Sequence, residues 1–383
     1  MSRSVLIVAG EASGDLYGAD LAHALHARFR ELTIYGIGST RMRAAHVQLI
    51  ADSCAWGAIG IVESLKVAPR VYLAFLRAKR FLRHARPDLV VPIDFGAFNV
   101  PLSCWARQLG LTVAYYMPPG SWRREAQGRD LPRCTNLVLT PFAWSAEHLR
   151  AIGANAHWVP HPLLRLARPT QTKEAFCERL GLDPYRPIVA LLPGSRHHEV
   201  KALTPLYARV AESVHALLPE VQFVLSVAPH LDPDWVHRLW LEHSRQWVPT
   251  ETRSVWDLLA HADAGIICSG TATLEAALLN TPMLIVYRGS WLMNLEYRLR
   301  RKRLNLSWIG LPNLILQRAV CPEFIQEDAT PHQLRQALIP LLRDSEVRGA
   351  QLHAFREIRH ALGEGQNLRE AYEWIADLLT EAL

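Results

Sequence analysis

Short apolar runs recur along the first half of the chain, at positions 5–10, 33–38, 88–94, 112–117 and 136–141. Amphipathic stretches at 19–30 and 143–152 lie between or after them. Continuous apolar runs that alternate with helical stretches predict a parallel sheet covered on both faces. A second series follows Pro160-His161-Pro162 and the polar stretch 168–173, which together read as a linker. Its strands are expected at 188–193, 222–228, 264–268 and 283–287, with helices at 201–218 and 271–279. Helical patterns at 331–342, 346–361 and 367–383 close the chain. The expectation is an α/β protein of two doubly wound, Rossmann-like domains at 1–165 and 170–345. C-terminal helices at 346–383 are expected to pack back toward the first domain. In such sheets ligands bind beyond the carboxyl ends of the strands, and the two sets of ends are expected to face one cleft.

Composition narrows the classes. At 383 residues the chain suits two domains, and 50% hydrophobic with 20% charged residues is an ordinary globular balance. No run reaches the roughly 18 apolar residues of a membrane span. Met1-Ser2-Arg3-Ser4 leads straight into an apolar strand, which leaves no room for a signal peptide and predicts a cytoplasmic chain. The six cysteines are scattered without a CxxC pair and read as reduced core thiols, not as a metal site or a disulfide frame. A net charge of +6 and a pI near 9.1 call for an anionic partner: nucleic acid, a membrane surface or a phosphorylated substrate. No nucleic-acid recognition signature is present, which disfavours the first. Twelve tryptophans suit a membrane interface as well as a core.

Three motifs carry candidate chemistry. In Ile266-Ile267-Cys268-Ser269-Gly270-Thr271-Ala272-Thr273-Leu274-Glu275 an apolar strand runs through small hydroxylic residues into a helix. Such a turn aims backbone N–H groups and the positive helix end at an anion, so it reads as a phosphate site. Glu275 sits in the first turn and suits ribose hydroxyls better than phosphate; the bland alternative is a capped helix start. In Leu191-Leu192-Pro193-Gly194-Ser195-Arg196 a second strand leads into a helix, and the Arg196 fork matches the oxygens of a pyrophosphate. The third motif, Gly10-Glu11-Ala12-Ser13-Gly14-Asp15, lacks the GxGxxG spacing of a dinucleotide fingerprint. It reads as an open turn exposing Glu11 and Ser13, the carboxylate serving as sugar-hydroxyl acceptor or general base.

The order of GEASGDLYGA, LLPGSR, SGTATLEAALL, TPM, LPN (Leu311-Pro312-Asn313) and PEFIQ (Pro322 to Gln326) resembles the lipid-A-disaccharide synthase family, collinearly from about residue 5 to residue 330. The resemblance implies an inverting glycosyltransferase of GT-B fold, with an acceptor-binding first lobe and a UDP-binding second lobe. The implied reaction joins UDP-2,3-diacylglucosamine to 2,3-diacylglucosamine 1-phosphate (lipid X), giving a β-1,6 disaccharide and UDP. It implies neither metal nor cofactor. Carried over residue by residue, the UDP-sugar site comprises Ser195, Arg196, Ser269, Gly270, Thr271, Ala272, Thr273, Glu275 and Asn313. Gly10, Ser13, Gly14, Asn99 and Trp122 fall to the acceptor side.

The chain departs from the family at two places. The family's Ile-Asp-x-Pro-Asp-Phe-Asn motif reads Ile93-Asp94-Phe95-Gly96-Ala97-Phe98-Asn99 here, so alanine occupies the position of the favoured catalytic base. The tryptophan-rich turn reads Pro118-Pro119-Gly120-Ser121-Trp122-Arg123-Arg124-Glu125, in which Trp122 alone clearly matches. Asp94, Glu11 or the hinge residue His161 are the candidate replacement bases, with Arg196 on the leaving UDP. The alternatives are a catalytically reduced paralogue that binds UDP-sugar or lipid, a related transferase with another acceptor, and, more remotely, a UDP-sugar 2-epimerase. The stretch 66–86 combines Val67, Val71, Phe75 and Leu82 at helical spacing with Lys66, Arg70, Arg77, Arg80 and Arg83. It suits a peripheral helix on the inner face of the cytoplasmic membrane as well as an ordinary packed helix. The basic run 298–303 suits lipid phosphate or solvent.

Overall fold

In a computed structural model, residues 3–54, 56, 61–122, 128–289 and 308–381 are described, with side chains omitted at 61–66. The chain divides into two compact units, one of residues 1–162 with 361–383 and the other of residues 163–360.

The first unit holds a wholly parallel sheet of seven strands: β1 (Arg3–Ala9), β2 (Leu32–Gly38), β3 (Gln48–Asp52), β4 (Leu89–Ile93), β5 (Thr112–Tyr116), β6 (Leu137–Thr140) and β7 (Ala156–Trp158). Their spatial order is β3-β2-β1-β4-β5-β6-β7. Parallel pairing needs crossover connections, and these bury both sheet faces. Thus Leu6 and Val8 join a cluster with Ala78 and Leu82 of the helix Ile61–Ala85 and Phe98 and Leu102 of the helix Gly96–Gln108. Ile7, on the opposite face, packs near Gly18 of the helix Ala12–Arg28. That helix also contacts the last one, Ala371–Glu381, which gives the C-terminal segment its place in the first unit.

The second unit holds six parallel strands: β8 (Ile188–Leu192), β9 (Gln222–Ser226), β10 (Thr250–Glu251), β11 (Ala264–Cys268), β12 (Met283–Tyr287) and β13 (Glu323–Ile325), in the order β10-β9-β8-β11-β12-β13. Val189 and Leu191 pack with Leu203, Tyr207 and Val210 of the helix His197–His215 and with Leu334 and Leu338 of the helix Pro331–Arg343.

Several expectations are corrected. The helix Ala12–Arg28 starts well before position 19, because Gly14 and Gly18 serve close packing on Ala9 and on Met42, not an open turn. The polar stretch 168–173 is no free linker: the Thr170 and Gln171 N–H groups donate to Asp257 Oδ1 at 2.5 and 3.1 Å. The helix Ser345–Ala361 falls almost wholly in the second unit, where Gln351 accepts from the Met283 N–H and donates to the Met283 carbonyl. Cys104 and Cys134 form a disulfide with 4.2 Å between Cα atoms, and Cys54 is exposed, so three of the six cysteines are not free core thiols. Thirty positions of sequence separate the bonded pair, and only the packing of the helices Gly96–Gln108 and Leu131–Cys134 brings them together.

Thiol titration of the unreduced protein in denaturant is expected to find four reactive cysteines, and in native buffer only Cys54 is expected to react rapidly. Six thiols without reduction would exclude the disulfide.

Candidate functional site

The polar motifs lie where parallel strands end. After β8 the chain turns through Gly194, whose φ of +104° suits glycine. A Cβ there would stand 2.4 Å from Glu199 Oε2. Glu199, in the first turn of the following helix and 2% exposed, reaches back into that turn. Its Oε2 accepts the N–H groups of Ser195 and Arg196 at 3.1 and 3.2 Å, and its Oε1 accepts Arg196 Nη1 at 2.8 Å. The guanidinium, a quarter exposed, is therefore oriented by a buried carboxylate. His230 Nε2 meets the Ser195 carbonyl at 2.7 Å and closes the turn from another loop. Sequence reasoning found Arg196 and Ser195 but did not single out Glu199.

After β11, Ser269 and Gly270 lead into the helix Thr271–Leu278, with Thr271 and Ala272 at its partly exposed start. The first N–H groups of a helix lack intrahelical partners and carry its positive end. Two of the three hydroxyls assigned to phosphate are already engaged. Ser269 Oγ donates to the Ile309 carbonyl at 3.0 Å, and buried Thr273 Oγ1 donates to the Gly270 carbonyl at 2.8 Å. Glu275 is partly exposed on the same first turn and a half.

Asn313 is corrected from ligand contact to scaffold. It is fully buried; its Nδ2 donates to the Cys321 carbonyl and to Glu323 Oε1, and its Oδ1 accepts the N–H groups of Val320 and Cys321, all between 2.7 and 2.8 Å. Nothing of its amide is left for a nucleotide.

The first unit places a second polar cluster at the ends of β1, β4 and β5. Asp94 and Phe95 take φ of +46° and +44°, two consecutive left-handed residues without a glycine. Each such residue costs about 1–3 kcal/mol and persists only where the surroundings impose it. The Asp94 carbonyl accepts Tyr115 Oη at 2.7 Å and Asn99 Nδ2 at 2.9 Å. Asn99 also donates to the carbonyls of Val8 and Ile93, so it ties three backbone oxygens together and, fully buried, is scaffold and not an acceptor contact. Gly10 is required because the Phe95 ring lies on it: a Cβ would stand 2.2 Å from a ring carbon. Burial, and secondarily the charge of Glu11, raise the Asp94 carboxyl to about 6. Glu11 precedes the helix Ala12–Arg28, and Ser13 is partly exposed on its first turn. Ala97, at the expected base position, is exposed.

His161 is buried edge-on to Tyr17, and burial lowers its imidazole to about 3, which holds it neutral near pH 7. Trp122 is partly buried, while its neighbours 123–127 and the basic run 298–303 lie outside the described residues. At the same edge of the second sheet Arg288 follows β12 and Gln326 follows β13, two polar residues that the motifs did not single out as site residues.

Two parallel α/β units with polar turns at their carboxyl edges are the GT-B architecture. A UDP-GlcNAc 2-epimerase from Neisseria meningitidis, solved bound to UDP-GlcNAc, matches with a TM-score of 0.62 over 94% of this chain and 99% of that one. MurG of Acinetobacter baumannii matches at 0.54 over 99% of each. Identities of 12% and 14% make these likenesses of fold alone. Sequence places the chain within the class. The model of the family described as lipid-A-disaccharide synthetase matches residues 5–375. A lipid-A-disaccharide synthase of Trichlorobacter lovleyi is 35% identical over 364 residues, covering 95% of this chain and 94% of its own. The chain belongs to the lipid-A-disaccharide synthetase family of glycosyltransferases.

Replacing Glu199 by alanine removes the acceptor of two N–H groups and the partner of Arg196. It is expected to lower unfolding free energy by roughly 3 kcal/mol in urea titration. An unchanged midpoint would show that the carboxylate does not hold the turn.

Proposed function

We propose that this chain transfers 2,3-diacylglucosamine from its UDP donor to 2,3-diacylglucosamine 1-phosphate with release of UDP. The observation that carries the reading is a family match over residues 5–375 together with an Arg196 turn anchored by Glu199. The UDP pyrophosphate is assigned to Arg196, Ser195 and the N-terminal N–H groups of the helix Thr271–Leu278, with Glu275 on the ribose. The acceptor is assigned to the first unit, around Glu11, Ser13 and Trp122.

Ala97 cannot take a proton, so the base is Asp94 in this reading. A base works best with a pKa near the working pH, and a carboxyl raised to about 6 is ionised at pH 7 yet far more basic than an ordinary aspartate. Asp94 removes the acceptor hydroxyl proton as that oxygen attacks the anomeric carbon. The bond from that carbon to the UDP oxygen breaks, and the leaving oxygen keeps the electron pair. Arg196 and the helix end stabilise the charge that develops there.

Peripheral attachment is assigned to the helix Ile61–Ala85. Its inner face packs Val71, Ala74, Phe75, Ala78, Phe81 and Leu82 into the core, which is the ordinary part of the pattern. Its outer face leaves Tyr72 62%, Leu73 56% and Leu76 43% exposed beside Arg70, Arg77, Arg80 and Arg83. Exposed apolar groups ringed by cations suit an anionic lipid surface. No helix among the described residues is long and apolar enough to cross a membrane.

Purified protein with both lipid substrates is expected to form disaccharide and UDP. Arg196→Ala should be impaired by about a hundredfold or more, in line with loss of a charged leaving-group contact. The rate should rise with pH through a step near 6, and Asp94→Asn should abolish the step and cost roughly 10²–10⁴-fold. The sign on stability is opposite. A raised carboxyl favours folding below its unfolded value of 3.8 and loses that contribution as pH rises through about 6, so Asp94→Asn should be more heat-stable than wild type at pH 8. UDP binding without turnover in wild type would instead support the catalytically reduced reading.

For the membrane face, Leu73→Ser combined with Leu76→Ser should weaken sedimentation with phosphatidylglycerol vesicles about tenfold or more. Unchanged vesicle binding would rule this helix out as the anchor.

A further inference from the structure

The disulfide between Cys104 and Cys134 lies in the first unit and takes part in none of the chemistry assigned above. Its two sulfurs are unequally reached: Cys134 is 1% exposed, whereas Cys104 is partly exposed on the helix Gly96–Gln108. The bond is not what docks that helix, because Phe98, Leu102 and Ala106 bury its inner face in the core. The helix Leu131–Cys134 is a different case. Four residues make barely one turn, which has no stability of its own and keeps its shape through tertiary contacts. The buried Leu131 side chain and the bond at Cys134 anchor it.

Both ends of the bond lead to Asp94. On one side Ser103 Oγ, beside Cys104, donates to the Asn99 carbonyl at 2.6 Å, and Asn99 Nδ2 donates to the Asp94 carbonyl at 2.9 Å. On the other side Leu131 packs in one cluster with Tyr115, whose Oη donates to the same carbonyl at 2.7 Å. The left-handed backbone at Asp94 and Phe95 persists only while its surroundings impose it. The bond ties together the supports of the two side chains that do so.

We propose that Cys104–Cys134 is a reversible redox clamp on the Asp94 site: closed, it holds that site in its working geometry, and opened by a small thiol it lowers the rate of transfer. This rests on the reading of Asp94 as the base. The thiolate of a first equivalent attacks Cys104 Sγ, the more exposed sulfur, and forms a mixed disulfide. The bond to Cys134 Sγ breaks, and that sulfur leaves with the electron pair and takes a proton. A second equivalent attacks the reductant's own sulfur in the mixed disulfide, and Cys104 leaves as a thiolate and is protonated. The products are two cysteine thiols and the disulfide of the small thiol, two electrons and two protons having passed to the protein.

The test equilibrates the full chain in glutathione buffers from fully reduced to fully oxidised. Alkylation and mass spectrometry of the peptides around Cys104 and Cys134 read the bond, and transfer rate and hydrogen exchange are measured on the same samples. Opening the bond is expected to lower kcat about tenfold while KM for the UDP donor stays within about twofold. Exchange should rise at 94–103 and 128–136 but not across the strands of the second unit, and reoxidation should restore the starting values. Cys104→Ser and Cys134→Ser should sit at the reduced level in every buffer, with thermal midpoints to check that both are folded. Should either fail to fold, the wild-type curve decides alone. A bond still closed in reduced glutathione would overturn the clamp, as would a bond that opens with rate and exchange unchanged. A response that persists in the serine variants would belong to another thiol, such as exposed Cys54, and would overturn it too. Exchange that follows the bond in a wild type forming no disaccharide would overturn the transferase reading and leave the clamp standing.

Discussion

Every turn at the carboxyl edge of a parallel sheet leaves backbone donors and acceptors that water reaches poorly, and each must be matched. The functional regions of this chain depend on how that matching is done. Three buried side chains do most of it: Asn99 gathers the carbonyls of Val8, Ile93 and Asp94; Glu199 gathers two N–H groups and Arg196; Asn313 bridges 320, 321 and 323. Glu199 and Asn313 spend both side-chain oxygens or the whole amide on holding neighbours in place, and Asn99 spends its amide N–H group. The residues that meet ligands in the functional reading, Asp94 and Arg196, are the neighbours so held. A flexible arginine would lose side-chain entropy on binding a pyrophosphate, and the Glu199 pair removes much of that loss in advance.

Much of the fold was legible from the apolar pattern, and the parts that were not share a cause. β1, β2, β4, β5, β6, β8, β9, β11 and β12 are interior strands, largely buried, and each is marked by a mostly apolar run. The strands missed were β3, β7, β10 and β13, which are the four edges of the two sheets. An edge strand pairs on one side only and runs short, at two to five residues here, with polar positions among them. Its existence is decided by the neighbour it docks on, which a local pattern does not contain. The Cys104–Cys134 bond was invisible for the same reason, since two helices far apart in sequence create it.

The candidate site was legible as residue types and less so as roles. Motif order located the turns after β8 and β11, and the helix after each of them. Yet Asn99, Asn313, Ser269 and Thr273, all plausible ligand contacts by type, turn out to bond the protein itself. A sequence displays which donors exist, not which are already used. The converse error concerns Glu199, whose importance rests on burial and on the two N–H groups and the guanidinium it holds.

The alanine at position 97 looks, from the motif, like the loss of a catalytic group. The geometry around Asp94 weakens that inference. An aspartate at 97 would sit exposed on the helix start, where solvent and the helix end would keep its carboxyl acidic. Burial and the charge of Glu11 instead make the Asp94 carboxylate unfavourable, and its backbone takes a left-handed conformation that no glycine relieves. Both cost stability. Asn99 and Tyr115 hold the strained carbonyl in place and so sustain them. The family motif carries an aspartate at both positions, so Asp94 is not a substitute acquired for Ala97; what suits it to the base role in the proposed reading is the burial that raises its carboxyl to about 6.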